Sequence, residues 1–100
     1  MCNMKLLGYN IFETVITAPG QVNFDNHCNG WVIKNTGTTL VLIMGESLAT
    51  GESKSIGGNY GEIWIGRLNI AFRTPTPAPS VITNQATLTQ KIYVRSTDFI

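Results

Sequence analysis

Between Gly30 and Arg73 the chain reads GWVIKNTGTTLVLIMGESLATGESKSIGGNYGEIWIGRLNIAFR, a series of short apolar runs cut by Gly, Asn and Ser turns. From Ile63 to Phe72 the alternation has period two, with Trp64, Gly66, Leu68, Ile70 and Phe72 on one face and Ile63, Ile65, Arg67, Asn69 and Ala71 on the other. This predicts one long strand with the first set against the core, bent at Gly66. Leu40 to Met44 is apolar without alternation, so a sheet, a loop or another subunit should cover both of its faces. Trp31 to Lys34, the turn formers Asn35-Thr36-Gly37-Thr38 and the run Thr39 to Met44 together have the pattern of a hairpin with a Gly-containing loop.

The flanks continue in the same manner. Tyr9 to Thr17 is rich in β-formers and stops at Ala18-Pro19-Gly20, Val22 to Phe24 is a short strand, and Asp25 to Gly30 is a polar loop. After Met44, Gly45-Glu46 turns the chain, Leu48 is an apolar plug, Thr50 to Ser53 turns again, Lys54 to Ile56 is a short strand, and Gly57 to Gly61 is a flexible tip. Thr74 to Ser80, TPTPAPS, has prolines without donors and reads as a stiff, extended arm. It delivers a last strand, Ala86 to Arg95, with Leu88, Ile92 and Val94 inward and Thr89, Lys91, Tyr93 and Arg95 outward, either to this sheet or to a neighbour's. Helical spacing is nowhere sustained; one turn near Ser80 to Gln85 is the most the pattern allows. The expectation is an all-β fold: a single antiparallel β-sandwich, jelly-roll or Ig-like, of about seven or eight short strands, with one domain over 1–100 and a Pro-rich arm at 74–80.

Composition sharpens this picture at the surface. A chain of 100 residues is one domain and buries about 60–70% of the surface its unfolded form exposes, enough for a core without disulfide staples. Only 13% of residues are charged, against about 25% in ordinary soluble domains. With a formal net charge of +1, copies repel one another little, which favours association. The seven basic side chains are scattered and nearly balanced, so no nucleic-acid footprint is visible. Cys2 and Cys28 make no disulfide framework and are expected as two thiols. The apolar part of MCNMKLLGYNIF is too short for a signal peptide, and no apolar run approaches the roughly 20 residues that span a bilayer. The expected product is soluble and unprocessed.

Candidate chemistry is sparse. His27 is the one histidine, and Asp25-Asn26-His27-Cys28 lacks the separated ligand pairs a zinc site needs; a cupin-type metal centre needs several histidines. The same count argues against a catalytic triad, with Cys28 adjacent to His27 in sequence rather than placed across a site from it. Glu46, Glu52 and Glu62 sit beside turn glycines and read as solvated turn carboxylates, and the tip GGNYG lacks the helix and Lys of a phosphate loop. Trp31 and Trp64 share faces with core residues. Tyr60 and Tyr93 are the aromatics expected to be exposed, so an alternative reading is a small carbohydrate- or ligand-binding module that uses these two tyrosines.

The stretch VIKNTGTTLVLIMGESLATGESKSIGGNYGEI followed by LNIAF resembles small β-sandwich structural virion proteins of phages, with an N-T-G hairpin, a G-E-S turn and a glycine-rich loop before a long alternating strand. The resemblance spans Gly30 to Phe72. It implies capsid decoration, a vertex or spike base, or a head–tail component, located in the virion after synthesis in the host cytoplasm. It also implies no enzymatic activity and no cofactor, with the protein itself and other virion proteins as partners. On that reading the expected subunit contacts are Leu40, Leu42 and Met44, the arm prolines Pro75, Pro77 and Pro79, Tyr93, and the apolar tail Phe99-Ile100.

Overall fold

The computed structural model describes residues 8–24, 27–59 and 61–94. Among them are eight strands: β1 (Gly8–Ile16), β2 (Gly20–Asn23), β3 (Cys28–Asn35), β4 (Leu40–Ile43), β5 (Glu46–Leu48), β6 (Ser53–Gly57), β7 (Arg67–Arg73) and β8 (Ala86–Val94). They form two four-stranded sheets with orders β1-β8-β3-β6 and β2-β7-β4-β5, antiparallel throughout. The described residues contain no helix, including over 80–85.

The ladders follow one rule. β1 pairs with β8, β2 with β7, β3 with β6 and β4 with β5, so the chain runs out along four strands and back beside itself along the next four. This long ribbon is then wound, and two further ladders, β3·β8 and β4·β7, join its turns into sheets. The ribbon's tip is the two-residue loop Met44-Gly45, with φ of 50° and 77°. Two positive values at the centre of a two-residue hairpin are what a type I′ turn requires.

Alternation along the strands builds a core to which both sheets contribute. Trp31, Ile33, Ala86 and Leu88 from the first sheet cluster with Val41, Ile43, Leu48, Leu68 and Ile70 from the second. Each fully buried Ile, Leu or Val contributes roughly 1.5–3 kcal/mol. The face predicted for Leu68, Ile70 and Phe72 holds: the first two are buried and Phe72 packs against the cluster.

Several expected boundaries shift for physical reasons. The expected hairpin over 31–44 is instead a crossover, because β3 and β4 lie in different sheets. Asn35 fixes it: its Oδ1 accepts from Gly37 N at 3.0 Å, and its Nδ2 donates to Thr39 O at 2.6 Å and Leu48 O at 2.8 Å. Gly37 then sits so close to the 83–85 backbone that a Cβ would lie 2.2 Å from Thr83 O. The long strand expected over 63–72 starts only at Arg67, because Gly66 at φ 135° breaks the extended run. Cys28 to Gly30, expected in a loop, belong to β3 and are buried, with Trp64 N donating to Cys28 O and Gly58 N to Asn29 O. Glu46 to Leu48, expected as a turn and a plug, is a three-residue strand.

The last strand stays at home. β8 pairs with β1 from Ala86 to Val94 and with β3 from Ala86 to Ile92, and Arg95 falls outside the described residues. The segment that delivers β8 is stitched to the crossover: Thr38 N donates to Thr83 O at 2.8 Å, Thr38 Oγ1 to Val81 O at 2.6 Å, and Thr39 Oγ1 to Asn84 Oδ1 at 2.7 Å.

Candidate functional site

The residues expected at subunit contacts fall into separate places. Leu40 and Leu42 are half-buried on the outward face of β4, opposite Arg73 and Ala71 of β7, while Val41 and Ile43 between them are buried. Met44 is exposed at the ribbon's tip. With Asn69, Ala71, Arg73 and Ser47, Leu42 and Met44 line an open depression of about 540 Å³. The chain leaves β7 beside Leu40, so the arm begins at the Leu40 end of β4; Pro75 and Pro79 are half-buried and Pro77 is exposed. Phe99 and Ile100 lie outside the described residues, as does Tyr60.

Tyr93 is elsewhere, at the far end of the first sheet from the crossover. Its hydroxyl accepts from Gly61 N at 2.6 Å and from Asn29 Nδ2 at 3.1 Å, and its ring lies 5.1 Å from that of Tyr9. Asn29 Nδ2 also reaches Asn59 O and Glu62 O, so the side chains of Asn29 and Tyr93 together hold residues 59, 61 and 62, between β6 and β7, against the end of β3. Desolvation raises the Tyr93 hydroxyl above its ordinary pKa of 10.0, and Tyr9 adds to this, while the Gly61 N–H and the Lys91 charge pull the other way. A tyrosine expected to reach outward is therefore a tie between two parts of the fold, with Asn29 as its buried partner.

The two tryptophans pack inward, Trp31 from β3 and Trp64 from the segment before β7. Trp31 and Trp64 meet at 5.7 Å and 73°, and Phe24 stacks on Trp31 at 5.5 Å, closing the core at the Cys28 end. The Cys28 thiol is buried and donates to Gly30 O, and His27 is exposed. Among the described residues no three His, Cys, Asp or Glu side chains come together. The turn carboxylates act locally: Glu52 accepts from Ala49 N at 2.7 Å, Glu62 from Asn59 N at 3.2 Å, and Glu46 pairs with Lys54.

The surface that sequence reading passed over is β1. Ile11, Phe12 and Val15 are 60%, 52% and 59% exposed, a concentration of bare apolar side chain on one strand at the margin of a sheet. The signal was in the segment GYNIFETVI, where apolar residues fall on both parities: Ile11 and Val15 must face away from the side that takes Phe12 and Ile16, and of that side Ile16, not Phe12, packs on the core. Lys91 of β8 lies 4.4 Å over the Tyr9 ring and supplies the positive charge beside this strip. No protein-family model matches the chain, no curated protein is significantly similar to it in sequence, and no solved structure matches it significantly.

Proposed function

We propose that this chain is a non-enzymatic structural subunit of a viral particle, a capsid, decoration, vertex or head–tail protein, which works through contacts with its own copies and with other virion proteins. The observation that carries this reading is the placement of apolar surface outside the core: Ile11, Phe12 and Val15 on β1 and Met44 at the ribbon's tip. On an exterior so poor in charge, several large apolar side chains left bare along one marginal strand support an interaction surface. The winding supports the finer fold assignment. Eight strands paired first with last, second with seventh and so on inward are how a jelly roll is wound, an architecture that capsid subunits share with lectin domains and cupins. Tyr93, the one described tyrosine of the carbohydrate-binding alternative, has its hydroxyl engaged by Gly61 and Asn29, which favours the structural role.

Light scattering coupled to size-exclusion chromatography, over a concentration series of the purified chain, tests this. A defined multimer, with rings or shells in negative-stain images, is the expected result; a monomer at every concentration overturns self-assembly.

A further inference from the structure

We infer that β1 pairs with β1 of a second copy, antiparallel about a two-fold axis through Phe12, fusing two four-stranded sheets into one of eight. This rests on the structural-subunit reading and names the surface and partner that reading needs. Four strands stand at sheet margins: β1, β6, β2 and β5. Three are guarded in ways that discourage strand addition. β2 and β5 have four and three residues, and β6, SKSIG, carries Lys54 and ends in glycine. β1 has nine residues, no proline and an unbroken register against β8 from Gly8↔Val94 to Ile16↔Ala86. Among the described residues it is a long, regular template with an open side and three bare apolar side chains.

Symmetry then limits the register. Residues opposite one another across an antiparallel ladder share a face, and a two-fold axis makes the pairing reciprocal. The core side of β1 carries Asn10, Phe12, Thr14 and Ile16, the residues paired with Ile92, Gln90, Leu88 and Ala86, so the axis must pass through a residue and not between two. Centring on Glu13 sets two carboxylates opposite each other. Centring on Ile11 leaves Val15 and Ile16 without partners. Centring on Phe12 uses the whole strand: Phe12 meets its own copy, Asn10 meets Thr14, Tyr9 meets Val15 and Ile11 meets Glu13. On the outward face Ile11 already sits beside Lys91, so each Glu13 lands in the same cross-strand row as the partner's Lys91, two strand spacings of about 4.8 Å away and within reach of the two long side chains. Glu13 makes no ion pair among the described residues of its own chain, and the pairing supplies this complementary charge twice.

The test uses the full chain in a Cys2→Ser background, Cys28 being buried. Phe12→Cys treated with a short bis-maleimide should give a covalent dimer. Val15→Cys should not, since the two copies of Val15 would lie six residues, about 20 Å, apart along the strand. Phe12→Lys sets two ammonium groups opposite each other and should lower the solution mass to that of a lower-order species, whereas Ile11→Lys, placed against Glu13, should keep the assembly. Matching circular dichroism and thermal melts of the variants establish that they fold. If the chain forms multimers but Phe12→Cys fails to cross-link and Phe12→Lys leaves the mass unchanged, the β1 pairing is overturned and the subunit reading stands. A chain that is monomeric at all concentrations overturns both.

Discussion

Replacing Asn35 by Asp tests the account of the crossover without changing side-chain shape. The carboxamide is 1% exposed and donates two N–H groups to the carbonyls of Thr39 and Leu48. An ionised carboxylate can still accept from Gly37 N but presents oxygen to both carbonyls. Two lost hydrogen bonds and two unsatisfied buried acceptors cost roughly 3–6 kcal/mol together, against a total stability of about 5–15 kcal/mol for a domain. The sign with pH follows from burial. Among the described residues the side chain at this position meets the backbone groups of Gly37, Thr39 and Leu48 and no cation, so desolvation raises the variant's folded pKa above the unfolded value of about 3.9. The variant is then closest to the wild type below that value, where a protonated carboxyl returns one donor, and loses stability as pH rises through the folded pKa. Urea unfolding at pH 3.5 and pH 7, followed by the fluorescence of Trp31 and Trp64 with the wild type alongside, reads both effects. A loss below about 1 kcal/mol at pH 7, or an equal loss at both pH values, would refute the claim that Asn35 fixes the crossover between the sheets.

Other expectations follow from single positions. Met44→Asn should stabilise the chain by about 1 kcal/mol, since Asn tolerates the left-handed conformation that Met44 holds at φ 50°, and should raise Tm by about 4–8 °C; no gain in calorimetry would count against the type I′ turn. Gly37→Ala places a methyl 2.2 Å from Thr83 O and 2.7 Å from Gln85 N, both backbone, and should cost about 3 kcal/mol or more in chemical denaturation. Tyr93→Phe removes the acceptor for Gly61 N and should speed hydrogen exchange at Gly61 and Glu62 while leaving β4 unchanged. Because its folded pKa is raised, the contribution of Tyr93 is fully present below pH 10 and is lost as pH rises through the folded value; its absorbance titration should run later than that of free tyrosine.

How far the sequence could be read depended on the distance over which each residue acts. Leu68, Ile70 and Phe72 declared their face because alternation within a strand converts directly into burial. Asn35-Thr36-Gly37 declared a turn, but turn residues say that a chain changes direction and not which sheet it enters; that is decided by contacts from Asn35 to Leu48 and from Thr38 to Thr83. Glu46-Ser47-Leu48 is too short for any period to show. Tyr93 looked outward by parity, and its tether to Asn29 joins positions 64 residues apart, beyond the reach of local patterning. The double parity of β1 was the exception, a local signal that pointed outward and needed only the question of what would cover it.

The nested pairing of the ribbon also sets an order in time. The β4–β5 hairpin closes across two residues, whereas Gly8 must find Val94, so each outer rung can form cheaply only after the rung inside it has shortened the effective loop. Folding should start at Met44-Gly45 and proceed outward, at the slow rates of chains dominated by distant contacts, with mutational φ-values high in β4 and β5 and near zero in β1. Among the described residues, the last strand to be secured has a neighbour on one side only. A newly made chain would therefore complete its sheet at the strand best suited to meet another copy, and the final folding event and the first encounter would share one ladder.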